Sequence, residues 1–124
     1  MKRALLLTTL AMLAAMVFAP VALAVTKQCS ERPCLGTARS DVLTERPGNG
    51  TADKIRGRGG DDVIRANRFG RDRDLLYGGA GDDRLNAQDG DGRDELYGGP
   101  GDDICYVDEG DLTQGCEEVV LVIE

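Results

Sequence analysis

The sequence predicts an all-β fold, a short parallel β-solenoid, on the basis of two observations. One phrase occurs twice, as LYGGAGDDRL at Leu76–Leu85 and LYGGPGDDIC at Leu96–Cys105, and a poorer copy, IRGRGGDDVI, precedes both at Ile55–Ile64. Each copy is a glycine-rich turn that ends in Asp, followed by one position and then an apolar residue, which is a pattern of parallel β-solenoids. A helix is disfavoured because each Gly in a helix interior costs roughly 1 kcal/mol.

Composition limits the functions that this chain can have. Its 124 residues include 17 Gly and no Trp, so a core of large side chains is not expected. The formal charge is −7, and 22 acidic against 13 basic residues remain without Lys2 and Arg3, which favours cations over nucleic acid. There is no His, and neither Ser30 nor Ser40 lies in a recognisable nucleophile setting, so no enzyme is predicted.

Residues 1–24 are predicted to be a signal peptide. A positive start, Met1–Arg3, precedes an apolar run at Ala4–Phe18, and Ala22–Ala24 supplies a small-x-small cleavage pattern. An uncleaved membrane anchor is the alternative, but the run is short for a span of about 20 residues. We therefore expect cleavage after Ala24, a secreted or extracellular protein with no membrane span after processing, and a single domain over residues 25–124.

The acid-x-apolar unit recurs seven times and gives the predicted solenoid two edges. The units start at Asp41, Asp53, Asp62, Asp74, Asp83, Asp94 and Asp103, so successive steps are 12, 9, 12, 9, 11 and 9 residues. If each unit makes half a turn, alternate units lie on opposite edges. Edge one then contains Asp41, Asp62, Asp83 and Asp103, reached through the compact loops 57–62, 78–83 and 98–103. Edge two contains Asp53, Asp74 and Asp94, reached through the longer loops GNGTAD from Gly48, FGRDRD from Phe69 and DGDGRD from Asp89.

Stacking of the edge-one loops would place like charges in columns. Neighbouring coils lie about 4.8 Å apart, and each adjacent pair of carboxylates costs about 1 kcal/mol even in water. The inward residues are too few to overcome this repulsion; they are Leu43, Ile55, Ile64, Leu76, Leu85 and Leu96. Low hydrophobicity and high charge make disorder the competing structural interpretation unless a cation neutralises the acids.

Calcium suits this arrangement because Ca²⁺ takes six to eight carboxylate and carbonyl oxygens, whereas Mg²⁺ demands a strict octahedron. We expect a chain that is expanded without Ca²⁺ and ordered with it. The predicted metal-binding residues on edge one are Gly57, Gly59, Asp61, Asp62, Gly78, Ala80, Asp82, Asp83, Gly98, Pro100, Asp102 and Asp103. A weaker site is expected on edge two near Asp94 and a still weaker one near Asp74, so calcium should lie mainly along edge one.

The four cysteines and the chain ends predict caps. Cysteines in an exported chain favour disulfides; three pairings are possible, and the local one joins Cys29 to Cys34 and Cys105 to Cys116. A zinc site built from the four thiolates is the competing interpretation. Solenoid ends expose core and need covering, so residues 29–34 are expected to cap the repeats at 36–105, and residues 106–124 to cap the other end. There, the run EEVVLVI at Glu117–Ile123 predicts a strand over the last coil.

Other side chains depart from the repeat or stand out from it. Arg58 takes the place of the second glycine of its loop, where a left-handed residue is usual. Asp72, flanked by Arg71 and Arg73, is expected to form salt bridges rather than to bind metal. The tyrosines Tyr77 and Tyr97 should share one outer column with Arg56, either to support the sheet by stacking or as a carbohydrate- or partner-binding strip.

Over residues 36–105 the sequence resembles the haemolysin-type (RTX) calcium-binding nonapeptide repeat family. The resemblance implies a short right-handed parallel β-roll, here with disulfide-capped ends, and Ca²⁺ ligation by loop aspartates and carbonyls. It transfers no toxin or enzyme activity, which in that family belongs to additional domains. The expected function is therefore that of an exported calcium-binding module with a structural or interaction role. Extracellular adhesion or glycan binding through Tyr77 and Tyr97 is the alternative, with an extracellular protein or glycan as partner.

Overall fold

The computed structural model describes residues 23–29, 32–46, 52–66 and 72–123, which form an all-β parallel solenoid of about four turns. Nearly all of the predicted leader lies outside the described residues, as do residues 48–51 of the loop that begins at Gly48 and residues 69–71 of the loop that begins at Phe69. The strands are β1 Thr26–Gln28, β2 Cys34–Leu35, β3 Val42–Thr44, β4 Lys54–Gly59, β5 Val63–Arg65, β6 Leu75–Ala80, β7 Arg84–Asn86, β8 Glu95–Tyr97, β9 Ile104–Asp108, β10 Leu112–Gln114 and β11 Glu118–Val122. Within the described residues, no helix has the length and apolar character to cross a membrane.

Successive strands alternate between two parallel sheets. Sheet A has the order β1-β3-β5-β7-β9-β11, and sheet B has the order β10-β8-β6-β4-β2. In sheet B, Leu76 of β6 pairs with Ile55 of β4 on one side and with Leu96 of β8 on the other. In sheet A, Ile64 of β5 pairs with Leu85 of β7. The predicted half-turn for each repeat is therefore confirmed, and every repeat presents the same position to the core.

The core is one narrow row of side chains between the two sheets. Period-2 alternation in each short strand turns the central residue inward, and the inward residues are almost completely buried. They are Leu43, Ile64, Leu85, Cys105 and Val107 from sheet A and Cys34, Ile55, Leu76 and Leu96 from sheet B, with Cys29, Ala66 and Ala87 just after strands of sheet A. Only six of these side chains are Leu or Ile. The stability of the fold therefore depends strongly on the groups that hydrogen-bond or neutralise its buried acids.

A disulfide lies near each end of the solenoid, with the local pairing that the sequence favours. Disulfides join Cys29 to Cys34 and Cys105 to Cys116, and the described residues contain no free cysteine, so the zinc interpretation is wrong. The predicted C-terminal strand is β11, which pairs in parallel with β9 from Glu118 to Val122. Sheet A ends at this strand, whose side chains at Val119 and Leu121 are each 48% exposed.

The outer face of sheet B carries the predicted tyrosine column. Arg56, Tyr77 and Tyr97 are register partners on β4, β6 and β8. The two phenol rings stack with centroids 4.9 Å apart and an interplanar angle of 8°. The guanidinium carbon of Arg56 lies 5.1 Å from the Tyr77 ring centroid, and Lys54 Nζ lies 5.6 Å from it. Such contacts stabilise neighbouring strands by roughly 0.5–1.5 kcal/mol each, which favours the supporting role.

Candidate calcium-binding edges

The terminal Asp of each repeat lies in a buried column along its edge. On edge one, the backbone N–H of Asp62 donates to Oδ1 of Asp83 at 2.8 Å, and the N–H of Asp83 donates to Oδ1 of Asp103 at 2.7 Å. On edge two, the N–H of Asp74 donates to Oδ1 of Asp94 at 2.7 Å. The alternation of odd and even repeats between two edges is thus confirmed. One oxygen of each of the three acceptor carboxylates accepts a backbone hydrogen bond from the coil before it.

The second oxygen of five column carboxylates has no hydrogen-bond partner among the residues that the structure describes. It is Oδ2 in each case, buried and without a hydrogen bond, in Asp62, Asp74, Asp83, Asp94 and Asp103. All five side chains are at most 1% exposed. A buried carboxylate whose lone pairs are unpaired carries a desolvation cost of several kcal/mol. These oxygens therefore point to a missing positive charge or to protonation.

The glycines of each loop have two different roles. Gly79 and Gly81 have φ of 98° and 121°, in the region that favours glycine, and a Cβ at either would overlap a carbonyl of the preceding coil. The first glycine of the loop, Gly78, is needed for space instead, because its Cβ would overlap Oδ2 of Asp83. Arg58, the counterpart of Gly79, has φ of 87°, which confirms the predicted left-handed residue there.

Edge one brings the predicted acidic ligands together. Outside the buried column, the exposed carboxylates of Asp61, Asp82 and Asp102 form a second column, in which Oδ1 of one accepts the backbone N–H of the next at 2.8 and 2.9 Å. A cleft of about 300 Å³ lies along these columns; it is lined by Asp61, Asp62, Val63, Asp82, Asp83, Arg84, Asp102 and Ile104. The cleft is therefore acidic on both its inner and its outer side.

The predicted carbonyl ligands of edge one belong to the backbone ladder. Gly57 and Gly59 lie in β4, and Gly78 and Ala80 lie in β6, because both strands extend into their loops. In the last loop, the carbonyl oxygens of Gly98 and Pro100 accept the N–H groups of Gly79 and Gly81 at 3.0 and 3.1 Å. Each carbonyl oxygen has a second lone pair, so these hydrogen bonds leave one coordination position per oxygen.

Edge two contains two groups of convergent carboxylates. One consists of Asp72, Asp74 and Asp89, the other of Asp89, Asp91 and Asp94, and within each group the three oxygens lie within 4.8 Å of one another. Asp72 Oδ1, Asp89 Oδ2 and Asp91 Oδ2 are buried without a hydrogen-bond partner, like Oδ2 of Asp74 and Asp94. Asp89 belongs to both groups, so one carboxylate could bridge two cations.

Of these five residues, sequence reasoning placed Asp94 in a site and Asp74 near a weaker one, and it missed Asp72, Asp89 and Asp91. The predicted partner of Asp72, Arg73, instead pairs with Glu95, which also accepts the hydroxyl hydrogen bond of Tyr97 at 2.8 Å. Arg71 lies outside the described residues. The signal for Asp89 and Asp91 was the alternation DGDGRD, in which acids occupy the first and third positions of the loop.

Burial raises the pKa of most acids in the two columns. On edge two, loss of solvent, reinforced by neighbouring carboxylates, raises the pKa of Asp74 and of Asp94 to about 8 and that of Asp89 to about 6. On edge one the same causes raise the pKa of Asp62 to about 7 and that of Asp83 to about 6. The backbone N–H that each column carboxylate accepts opposes these shifts. Without a cation, Asp74 and Asp94 therefore retain their protons near neutral pH.

Both columns continue one coil beyond the predicted repeats. The N–H of Asp103 donates to Oε2 of Glu117 at 2.7 Å, and the N–H of Asp94 donates to Oδ1 of Asp111 at 3.0 Å. The sequence pattern did not include these positions, because it required an Asp with an apolar residue two positions later. Glu117-x-Val119 and Asp111-x-Thr113 are the same unit with one residue type changed in each.

Comparison with known proteins gives one match. The family model described as RTX calcium-binding nonapeptide repeat (4 copies) matches residues 47–68, 70–91 and 86–111. These segments contain most of the acids of both edges. No curated protein and no solved structure matches the chain.

Proposed function

Because this chain belongs to the RTX calcium-binding nonapeptide repeat family, we propose that it is an exported module that folds when it binds Ca²⁺. RTX repeats imply calcium binding, occur typically in secreted proteins and are typically non-catalytic. Cleavage after Ala24 and a role as a structural or interaction module are parts of the proposal. The domain limits are likewise those proposed from the sequence, residues 25–124.

The observation that supports coupled folding is the set of five buried, unpartnered Oδ2 atoms in the two columns. The desolvation cost of each buried oxygen is offset only when a proton or a cation pairs with it. Five carboxylates at several kcal/mol each would exceed the roughly 5–15 kcal/mol by which small domains are stable. Calcium, which binds several carboxylate and carbonyl oxygens at once, supplies the missing charge.

On edge one we propose sites between successive loops. Asp62, Asp83 and Asp103 would supply the inner oxygens, and Asp61, Asp82 and Asp102 the outer ones, across the acidic cleft. The second lone pairs of the loop carbonyls, such as those of Gly98 and Pro100, would complete the shell. Asp83 lies in the middle of its column and would be shared between neighbouring sites.

On edge two we propose a site pair centred on Asp89. Three oxygens within 4.8 Å of one another already converge in each group, which is closer to a preformed cation site than the columns of edge one. This convergence favours calcium on both edges rather than mainly on edge one. These carboxylates suit Mg²⁺ less well than Ca²⁺, because Mg²⁺ releases its coordinated water reluctantly.

The structural role of the module is supported by the outer face of sheet B. Tyr77 and Tyr97 stack on each other, and Tyr77 is also flanked by Arg56 and Lys54. Contacts within the fold thus engage the Tyr77 ring from Arg56, Lys54 and Tyr97, and cover one face of the Tyr97 ring. Binding through these tyrosines is therefore the weaker of the two functions proposed from the sequence.

Calorimetric titration of the protein with CaCl₂ tests the sites edge by edge. We expect Asp83→Asn to remove calcium binding on edge one and Asp89→Asn to remove calcium binding on edge two. Titration with MgCl₂ in place of CaCl₂ should release little heat. Glu109→Gln, which changes an exposed acid, is the matched control and should titrate like the parent. If Asp83→Asn and Asp89→Asn both bound as much calcium as the parent, the proposed sites would be wrong.

A further inference from the structure

Exposed apolar side chains are concentrated at the two ends of the solenoid. Among the described residues, the large apolar side chains that are exposed all belong to the first or the last coil. In the last coil they are Leu112, Val119, Leu121, Val122 and Ile123, and Ile123 is 77% exposed; at the first end it is Leu35, since Leu23 belongs to the proposed leader. An apolar surface at the ends alone indicates that the ends contact another surface.

The end strands also have one side open for pairing. The N–H of Glu118 donates to the carbonyl of Asp103, so strand alternation directs the N–H groups of Val119 and Leu121 away from β9. At the first end, the carbonyl of Val25 accepts the N–H of Val42, and the N–H of Cys29 donates to Thr44. The N–H of Thr26 on β1 therefore faces outward. Unpaired edges of this kind are templates for another strand.

The two ends carry opposite charge. No Lys or Arg follows Arg93, so the last coil is acidic throughout; its acids include Asp108, Glu109, Asp111, Glu117 and Glu118. Residues 25–40 around the first coil contain the three bases Lys27, Arg32 and Arg39 against the single acid Glu31. Contact between a first and a last end is thus attractive, whereas contact between two last ends sets acids against acids.

We propose that folded copies associate head to tail, with β11 of one copy pairing in parallel with β1 of a second copy. All pairs within each sheet are parallel, so this contact continues sheet A across the junction. It also covers Val119 and Leu121 with the first coil of the next copy. Such an interface is heterologous and does not close on itself, so it generates an open series of oligomers rather than a dimer alone.

Sedimentation velocity of the exported protein in millimolar CaCl₂ tests this association, after mass spectrometry has fixed its N-terminus. We expect dimers, trimers and larger species that increase with concentration. Leu121→Pro removes an outward N–H at the last end, and Thr26→Pro removes one at the first end, so each variant alone should be monomeric. Mixed in equal amounts, the two variants should form a 1:1 dimer and nothing larger, because each supplies one intact end.

Circular dichroism in calcium shows whether each variant is folded; if Leu121→Pro is not, Ile123→Lys replaces it. A folded parent that stays monomeric at every concentration would overturn the head-to-tail contact and leave the calcium proposal standing. A dimer that Thr26→Pro does not weaken would overturn it as well, in favour of two-fold pairing of the last ends. A chain that calcium does not fold would contradict the proposed function itself.

Discussion

Replacement of Asp94 by Asn is expected to have opposite effects with and without calcium. Burial, reinforced by the carboxylates of Asp89, Asp74 and Asp111, raises the pKa of Asp94 to about 8. In the unfolded chain its pKa is near 3.9, so at pH 7 the metal-free fold must hold a proton that the unfolded chain has lost. At about 1.4 kcal/mol per pKa unit, this costs folding roughly 4 kcal/mol.

The amide removes that cost and keeps an acceptor for the Asp74 N–H. Burying its NH₂ group without an assured hydrogen-bond partner costs about 1–3 kcal/mol, and this cost offsets part of the gain. We therefore expect Asp94→Asn to raise the free energy of unfolding in EGTA by roughly 1–3 kcal/mol, and to lower it in calcium, where a charged ligand is lost. Urea unfolding at pH 7, with trimethylamine oxide in the EGTA sample to populate the fold, measures both.

The matched control is Glu109→Gln, which should leave both free energies unchanged because that side chain is exposed. If Asp94→Asn destabilised the fold equally in EGTA and in calcium, the Asp94 carboxylate would be an ordinary hydrogen-bonding group. The inference that the columns carry a large electrostatic cost without calcium would then be refuted.

Three further results are expected. In EGTA with trimethylamine oxide to populate the fold, the melting temperature should be higher at pH 5 than at pH 8, because burial raises the pKa of Asp62 to about 7 and that of Asp74 to about 8. The fold then binds more protons than the unfolded chain between about pH 4 and 8, so its stability falls as pH rises. Arg58→Gly should stabilise the calcium form by about 1–2 kcal/mol by relieving a left-handed conformation, whereas Arg65→Gly on β5 should destabilise it; equal effects would contradict this. Replacing Cys105 and Cys116 together by Ala should lower the free energy of unfolding by about 3 kcal/mol, measured in urea with calcium, and an unchanged value would show that the bridge is dispensable.

The solenoid could be predicted from the sequence because the repeat has a fixed register. An acid two residues before each inward residue determines which side chain enters the core, and the step lengths determine which edge each acid occupies. The local disulfide pairing followed from the position of the cysteines on either side of the repeats. The column of Arg56, Tyr77 and Tyr97 followed from period-2 alternation and from the alternating repeat steps, which place these residues on successive coils.

The convergence of carboxylates on edge two could not be predicted from the sequence. Whether Asp72 meets Asp89 depends on how two irregular loops stack, and no period determines that. The basic neighbours of Asp72 suggested salt bridges, but Arg73 reaches along the outer face to Glu95 instead. The sequence interpretation ended the columns one coil too early, because Glu117 and Thr113 replace the expected residue types. The carboxylates of Glu117 and Asp111 nevertheless accept the same backbone hydrogen bond as the other column acids.

Far-ultraviolet circular dichroism during a calcium titration from EGTA at pH 7.5 tests the central claim most directly. The buried, unpartnered oxygens of the two columns predict a chain with little strand signal in EGTA. They also predict a cooperative gain of that signal as calcium rises to millimolar concentration, and little gain with magnesium. A strand signal of the same size in EGTA and in millimolar calcium would contradict the claim that calcium binding folds this protein.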